Sequence, residues 1–153
     1  MTLTVGQQAP DFTVKDQFGE EVSLASFRGK KNVVLVFFPF AFSPTCTDEL
    51  ASIRDERKEI EQDDTVVFAI SCDSMWALRA FAERGGYDYQ ILSDSWPYGE
   101  VAKAYGVFLP DRGIATRATF IIDKQGIVNW AVVNDLSEAR DVKQYCNAVS
   151  DIS

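Results

Sequence analysis

Residues 33–40 read VVLVFFPF and residues 43–46 read SPTC, and these two stretches decide the architecture. The first is a continuous apolar run after the polar SFRGKKN of residues 26–32, the pattern of a strand buried on both faces of a sheet. The second opens a helix, with Ser43 as N-cap, Pro44 at the first helical position and Cys46 at the third. Helix formers dominate through Asp64, with apolar Leu50, Ile53 and Ile60 at roughly helical spacing. A strand buried on both faces must be covered by layers on both faces, so the pair predicts an α/β sandwich.

The same rhythm continues outward. TVVFAIS (65–71) predicts a second buried strand and SMWALRAFAERGG (74–86) a helix stopped by two glycines. YDYQILSD (87–94) reads as a short strand or an extended loop, and GEVAKAYG (99–106) as a short helix. TFIIDKQGIVNWAVV (119–133) predicts a hairpin turning at Asp123 to Gly126, and SEARDVKQYCNAVSDI (137–152) an amphipathic closing helix. On the amino-terminal side, DFTVKDQFGEEVSL (11–24) predicts a hairpin around a glycine-containing turn. Strands alternating with helices, plus a late antiparallel hairpin, predict a mixed sheet flanked by helices.

A chain of 153 residues suits a single domain, taken as 1–153, and 46% apolar residues suit a packed core. The formal charge of -8 repels phosphate backbones and anionic lipid heads, which argues against nucleic acid and membrane surfaces as partners. The start, MTLTVGQQAPDF, lacks the basic and apolar regions of a signal peptide, so the expected location is cytoplasmic.

Three cysteines, at 46, 72 and 146, form neither a CxxC pair nor a disulfide scaffold, and nothing in the pattern calls for a metal. Histidine is absent, which removes the usual Ser/His and Cys/His nucleophile pairs. Cys46 in a first helical turn has another source of activation. Free backbone N–H groups and the positive end of the helix dipole lower a cysteine pKa from its free value of about 8.5. Glu49, close by, opposes ionisation of Cys46, so a cation is needed, and Arg117 is the candidate.

The stretch PFAFSPTC, Pro39 to Cys46, resembles the peroxiredoxin signature Pro-x-x-x-Thr/Ser-x-x-Cys. GQQAPDFTV near the start, ILSD at 91–94, YGV at 105–107 and RATFIID at 117–123 resemble other family landmarks in the expected order. WPYG and GIATRATF look closest to the AhpE-like one-cysteine group. The resemblance implies a thioredoxin-like fold and reduction of hydrogen peroxide, organic hydroperoxides or peroxynitrite, without metal, haem or flavin. It implies Cys46 as nucleophile, Pro39 as its shield, Ser43 as hydrogen-bonding partner of peroxide, Arg117 as stabiliser of thiolate and leaving oxygen, and Glu49 as the residue orienting that arginine. Where the family prefers threonine the chain has Ser43, which keeps the hydroxyl. Charge grows on the leaving oxygen in the transition state, and preorganised hydroxyl, N–H and guanidinium donors stabilise it.

Each residue has an ordinary alternative. Ser43 and Pro44 can simply start a helix, Pro39 can end a strand, Arg117 can be a solvated charge, and Glu49 can pair with an arginine one turn on. Sulfenic acid at Cys46 needs a second thiol. Cys72, just after a parallel strand, is a possible resolving cysteine or a small residue capping that strand. Cys146 shares a stripe with Val142, Tyr145 and Val149 and reads as packing. The default is one-cysteine chemistry with an external thiol or redoxin as reductant and, from the resemblance, a homodimer. Phe38, Phe40, Phe42, Trp96 and Tyr98 would favour hydrophobic peroxides, fill the core or line a dimer face. Two rivals stay open: thiol–disulfide exchange, against which the missing CxxC counts, and a non-catalytic thioredoxin-fold or holdase module.

Overall fold

A computed structural model describes residues 2–152 of the chain. The expected central strand is β3 (Asn32–Phe37), buried at every position. It pairs in parallel with β4 (Thr65–Ser71), which pairs in parallel with β5 (Gln90–Ser93). The segment that could have been strand or loop is thus a strand, recruited because β1 (Thr13–Asp16) borders it on the far side. β1 and β2 (Glu21–Ser23) form the amino-terminal hairpin. On the other flank, β8 (Arg117–Ile122) runs antiparallel to β3 and turns back into β9 (Val128–Asn134). The sheet order is β2-β1-β5-β4-β3-β8-β9.

Side-chain alternation along β3 feeds two cores. Val34 and Val36 join Leu50 and Ile53 of α1 (Pro44–Ile60), Leu78 and Phe81 of α2 (Met75–Gly85), and Tyr145 and Val149 of α4 (Lys143–Ile152). Val33, Leu35 and Phe37 join Phe12, Phe120 and the Val101 and Ala102 side chains of α3 (Glu100–Ala104). Complete burial of a side chain such as Leu50 or Ile53 is worth about 1.5–3 kcal/mol. This is the mixed, helix-flanked sheet of the thioredoxin-like class. Among the described residues no helix is long and apolar enough to cross a membrane.

Two departures from expectation stand out. A small separate hairpin, β6 (Phe108–Leu109) and β7 (Ile114–Ala115), lies where periodicity over so few residues carries no signal. The closing helix begins at Lys143, not at Ser137. The chain before it turns at Leu136 and Ser137 and is irregular through Asp141, and the Arg140 N–H donates not to a helical carbonyl but to Glu49 Oε2 at 2.7 Å.

Candidate active site

The carboxyl end of β3 runs through Phe38 and a short loop into α1, so the first turn of α1 sits at the edge of the sheet. Ser43 takes extended N-cap geometry (φ -70°, ψ 147°) and Pro44 starts the helix, while the Ser43 carbonyl accepts from the Thr47 N–H at 2.9 Å. Position and role then separate. The Ser43 side chain makes no capping bond, and its Oγ is buried with no hydrogen-bond partner among the described residues. A buried hydroxyl without a partner is costly and keeps its donor and acceptor capacity available to a bound group.

Cys46 is fully buried in the first turn, and Glu49 lies one turn on along the same face, 3% exposed. Arg117, at the start of β8, is also 3% exposed and is no surface charge. One nitrogen, Nη1, donates to Cys46 Sγ at 3.2 Å and to Glu49 Oε1 at 2.6 Å. Its Nε donates to the Leu136 carbonyl at 2.6 Å, which fixes the plane of the guanidinium. The expected cation is therefore in contact with the sulfur.

A second arginine was not expected. Arg140 holds Glu49 through Nε to Oε2 at 2.9 Å and Nη2 to Oε1 at 2.9 Å. Its Nη1 donates to the carbonyls of Phe37 and Ala118, at 2.7 and 2.8 Å, which belong to paired strands. Burial by itself would raise the Glu49 carboxyl; the Arg140 hydrogen bonds and charge, then the Arg117 charge, outweigh it and hold the carboxyl below its usual range. Two guanidinium groups face one carboxylate, and the remaining positive charge lies beside Sγ. The apolar stripe of the closing helix starts only at Val142, a sign in the sequence that residues 137–141 lie outside it.

Pro39 lies in the loop between β3 and α1, and the flanking Phe40 and Phe42 are half exposed. Phe42 sits at φ 71°, in the left-handed region that non-glycine residues seldom occupy, and packs its ring 5.1 Å from that of Phe81. Phe38 belongs to the core, while Trp96 and Tyr98 stand out at the surface.

All three cysteines are free. Burial, then the charges of Asp94 and Asp73, push the Cys72 thiol up to about 12. Its surroundings, including Ala115 and Lys103, lie on the α3 side of the sheet, whereas Cys46 belongs to the core under α1. Cys146 packs in that core as expected. Its sulfur lies within 4.8 Å of carboxylate oxygens of Glu56 and Glu59, but burial and then those charges raise the thiol.

Residues 5–131 match the AhpC/TSA family model. The chain is 42% identical over 151 residues to alkyl hydroperoxide reductase E of Mycobacterium tuberculosis, covering 99% of both chains. It is 34% identical to the chloroplastic 2-Cys peroxiredoxin BAS1 of Hordeum vulgare, over 92% of this chain and 70% of that one. Among solved structures, peroxidoxin BcpB of M. tuberculosis superposes with a TM-score of 0.88 at 29% identity, over 99% of each chain. Reduced 2-Cys peroxiredoxin of Plasmodium vivax does so at 0.89 and 27%, over 98% of this chain and 82% of that one.

Proposed function

The chain belongs to the AhpC/TSA family of peroxiredoxins, thiol-dependent peroxidases, and from that premise we propose how its own residues carry the reaction. Cys46 thiolate attacks one peroxide oxygen. The S–O bond forms as O–O breaks, Cys46 becomes sulfenic acid, and the leaving group departs as hydroxide or alkoxide that takes up a proton, or, from peroxynitrous acid, as nitrite. The substrate range is hydrogen peroxide, organic hydroperoxides or peroxynitrite.

Developing charge on the leaving oxygen is met by Arg117, held before reaction by Leu136 and Glu49, and by the Ser43 hydroxyl, which has no other partner among the described residues. Glu49 orients Arg117 and is itself neutralised by Arg140, while Pro39 keeps water from the sulfur. The observation that carries this reading is the contact of Arg117 Nη1 with Cys46 Sγ, 3.2 Å, at a helix N-terminus beside an unpartnered buried hydroxyl.

One-cysteine chemistry fits the 42% identity with alkyl hydroperoxide reductase E. An external thiol or redoxin then condenses with the sulfenic acid, releasing water, and a second thiol frees Cys46 as the thiolate. A homodimer fits the exposed Phe40, Phe42 and Trp96. The test is one equivalent of hydrogen peroxide added to the reduced protein. Rapid loss of one thiol with gain of one oxygen on Cys46 is expected; a Cys46 that reacts no faster than free cysteine would sink the proposal.

A further inference from the structure

Asp73 lies in the bend after β4, outside the group of residues around Cys46, yet its carboxylate reaches the loop that bears Pro39 and Ser43. Oδ2 accepts from the Ala41 N–H at 2.8 Å and from Ser71 Oγ at 2.7 Å. Asp73 is itself anchored from two strands. Its N–H donates to Ser71 Oγ at 3.3 Å, and its carbonyl accepts from Ser93 Oγ at 2.7 Å. Ser71 and Ser93 are buried and stand opposite each other where β4 and β5 pair. A rigid sheet edge therefore holds a carboxylate, and the carboxylate holds one backbone N–H.

Ala41 is the middle residue of Pro39–Ser43 and directly precedes Phe42, whose left-handed backbone persists only where surrounding groups hold it. A charge-assisted bond at Ala41 and the ring contact with Phe81 supply that restraint from its two sides. We infer that Asp73 is a positioning residue for the peroxide step: through the Ala41 N–H it fixes the conformation of the loop that carries Pro39 and Ser43, the residues the proposed reaction sets beside Cys46. This rests on the peroxidase reading of Cys46. Asp73 touches neither the sulfur nor any group the peroxide meets, so its removal should spare thiolate chemistry that needs no loop geometry.

The experiment compares two reactions of Cys46 in wild type, Asp73→Ala and Asp73→Asn: oxidation by hydrogen peroxide and alkylation by iodoacetamide. If the wild type itself fails to react rapidly with peroxide, the reading of Cys46 is lost; the inference on Asp73 is judged with that step intact. Asp73→Ala should oxidise about ten- to a hundredfold more slowly while alkylation is equal or faster, because misplaced donors affect only the peroxide reaction. Asp73→Asn retains an oxygen acceptor for Ala41 and should stay within about threefold of wild type. Unchanged peroxide oxidation in Asp73→Ala, equal slowing of both reactions, or failure of asparagine to rescue would each overturn the inference. Should Asp73→Ala not fold, Ser71→Ala carries the test: peroxide oxidation slowed with alkylation spared supports it, and any other pattern rejects it.

Discussion

Cys46 and Cys72 both lie beyond the carboxyl ends of the central parallel strands, one in the first turn of α1 and the other in the bend after β4, and they meet opposite charges. Each is buried, and neither is in a disulfide. The charges differ. Cys46 meets Arg117 at 3.2 Å, backed by Arg140, with Glu49 neutralised between them. At Cys72 the charge of Lys103 is outweighed, and burial with Asp94 and Asp73 pushes its thiol up to about 12. Burial and a place at the sheet edge are common to both; the neighbouring charges and the helix N-terminus are what distinguish Cys46.

Arg140→Ala has the largest expected effect on this contrast, because it leaves Arg117 alone to offset the buried Glu49 beside Cys46. Glu49 would lose its bidentate guanidinium partner while still buried, keeping only the residue-140 N–H and Arg117. A buried charge left uncompensated costs about 3–5 kcal/mol; Arg117, still bonded to Glu49, makes that the upper bound of the loss, readable as a lower urea midpoint. The pH dependence has a definite sign. The folded-state pKa of Glu49 is depressed below its ordinary 4.5, so its contribution is fully present above that value and fades as pH falls through the lower folded value. The gap between wild type and Arg140→Ala should narrow in that acid window; a gap independent of pH would place the loss elsewhere.

Arg117→Ala comes next and acts on rate. It removes the donor to Cys46 Sγ while leaving Arg140 on Glu49, so the fold should survive better than in Arg140→Ala. Loss of one preorganised donor to developing charge slows reaction by about a hundred- to a thousandfold. Stopped-flow oxidation of Cys46 measures it. Arg117→Lys should recover little, since a single ammonium cannot reproduce the planar guanidinium that joins Leu136, Glu49 and the sulfur. Full recovery by lysine would reduce the role of Arg117 to bare charge.

What could be read in advance follows the range of the interactions. β3 and the start of α1 were legible because an apolar run and a Ser-Pro pair are local signals. The hairpins at both ends of the sheet were legible through their turn residues. Ser43 was legible as an N-cap position, but the empty hydrogen-bonding capacity of its hydroxyl depends on neighbours the local sequence does not reveal. Arg117 was reached through motif order. Arg140 was missed because its partner Glu49 is 91 residues away, and because a charge in SEARD looks like the polar start of a helix. Asp73 escaped for the same reason, its link to Ala41 spanning 32 residues.

The smallest effect belongs to Cys72→Ser, and it probes the contrast from the other side. A resolving cysteine must attack the Cys46 sulfenic acid as a thiolate. With its thiol pushed up to about 12, Cys72 stays protonated at neutral pH, and its acidic surroundings would have to be rebuilt before it could ionise. It also lies on the α3 side of the sheet, away from the core under α1 that holds Cys46. Oxidised wild type should therefore retain sulfenic acid on Cys46 in the absence of added thiol. Cys72→Ser should keep turnover with an external reductant within about twofold, the small cost coming from a slightly more polar side chain in a buried place. Non-reducing peptide mapping decides it: a Cys46–Cys72 disulfide in wild type that vanishes in Cys72→Ser would mean that the helix turn around Cys46 opens far enough to bring the two sulfurs together, and that the electrostatic contrast of the folded state does not govern the second half of the cycle.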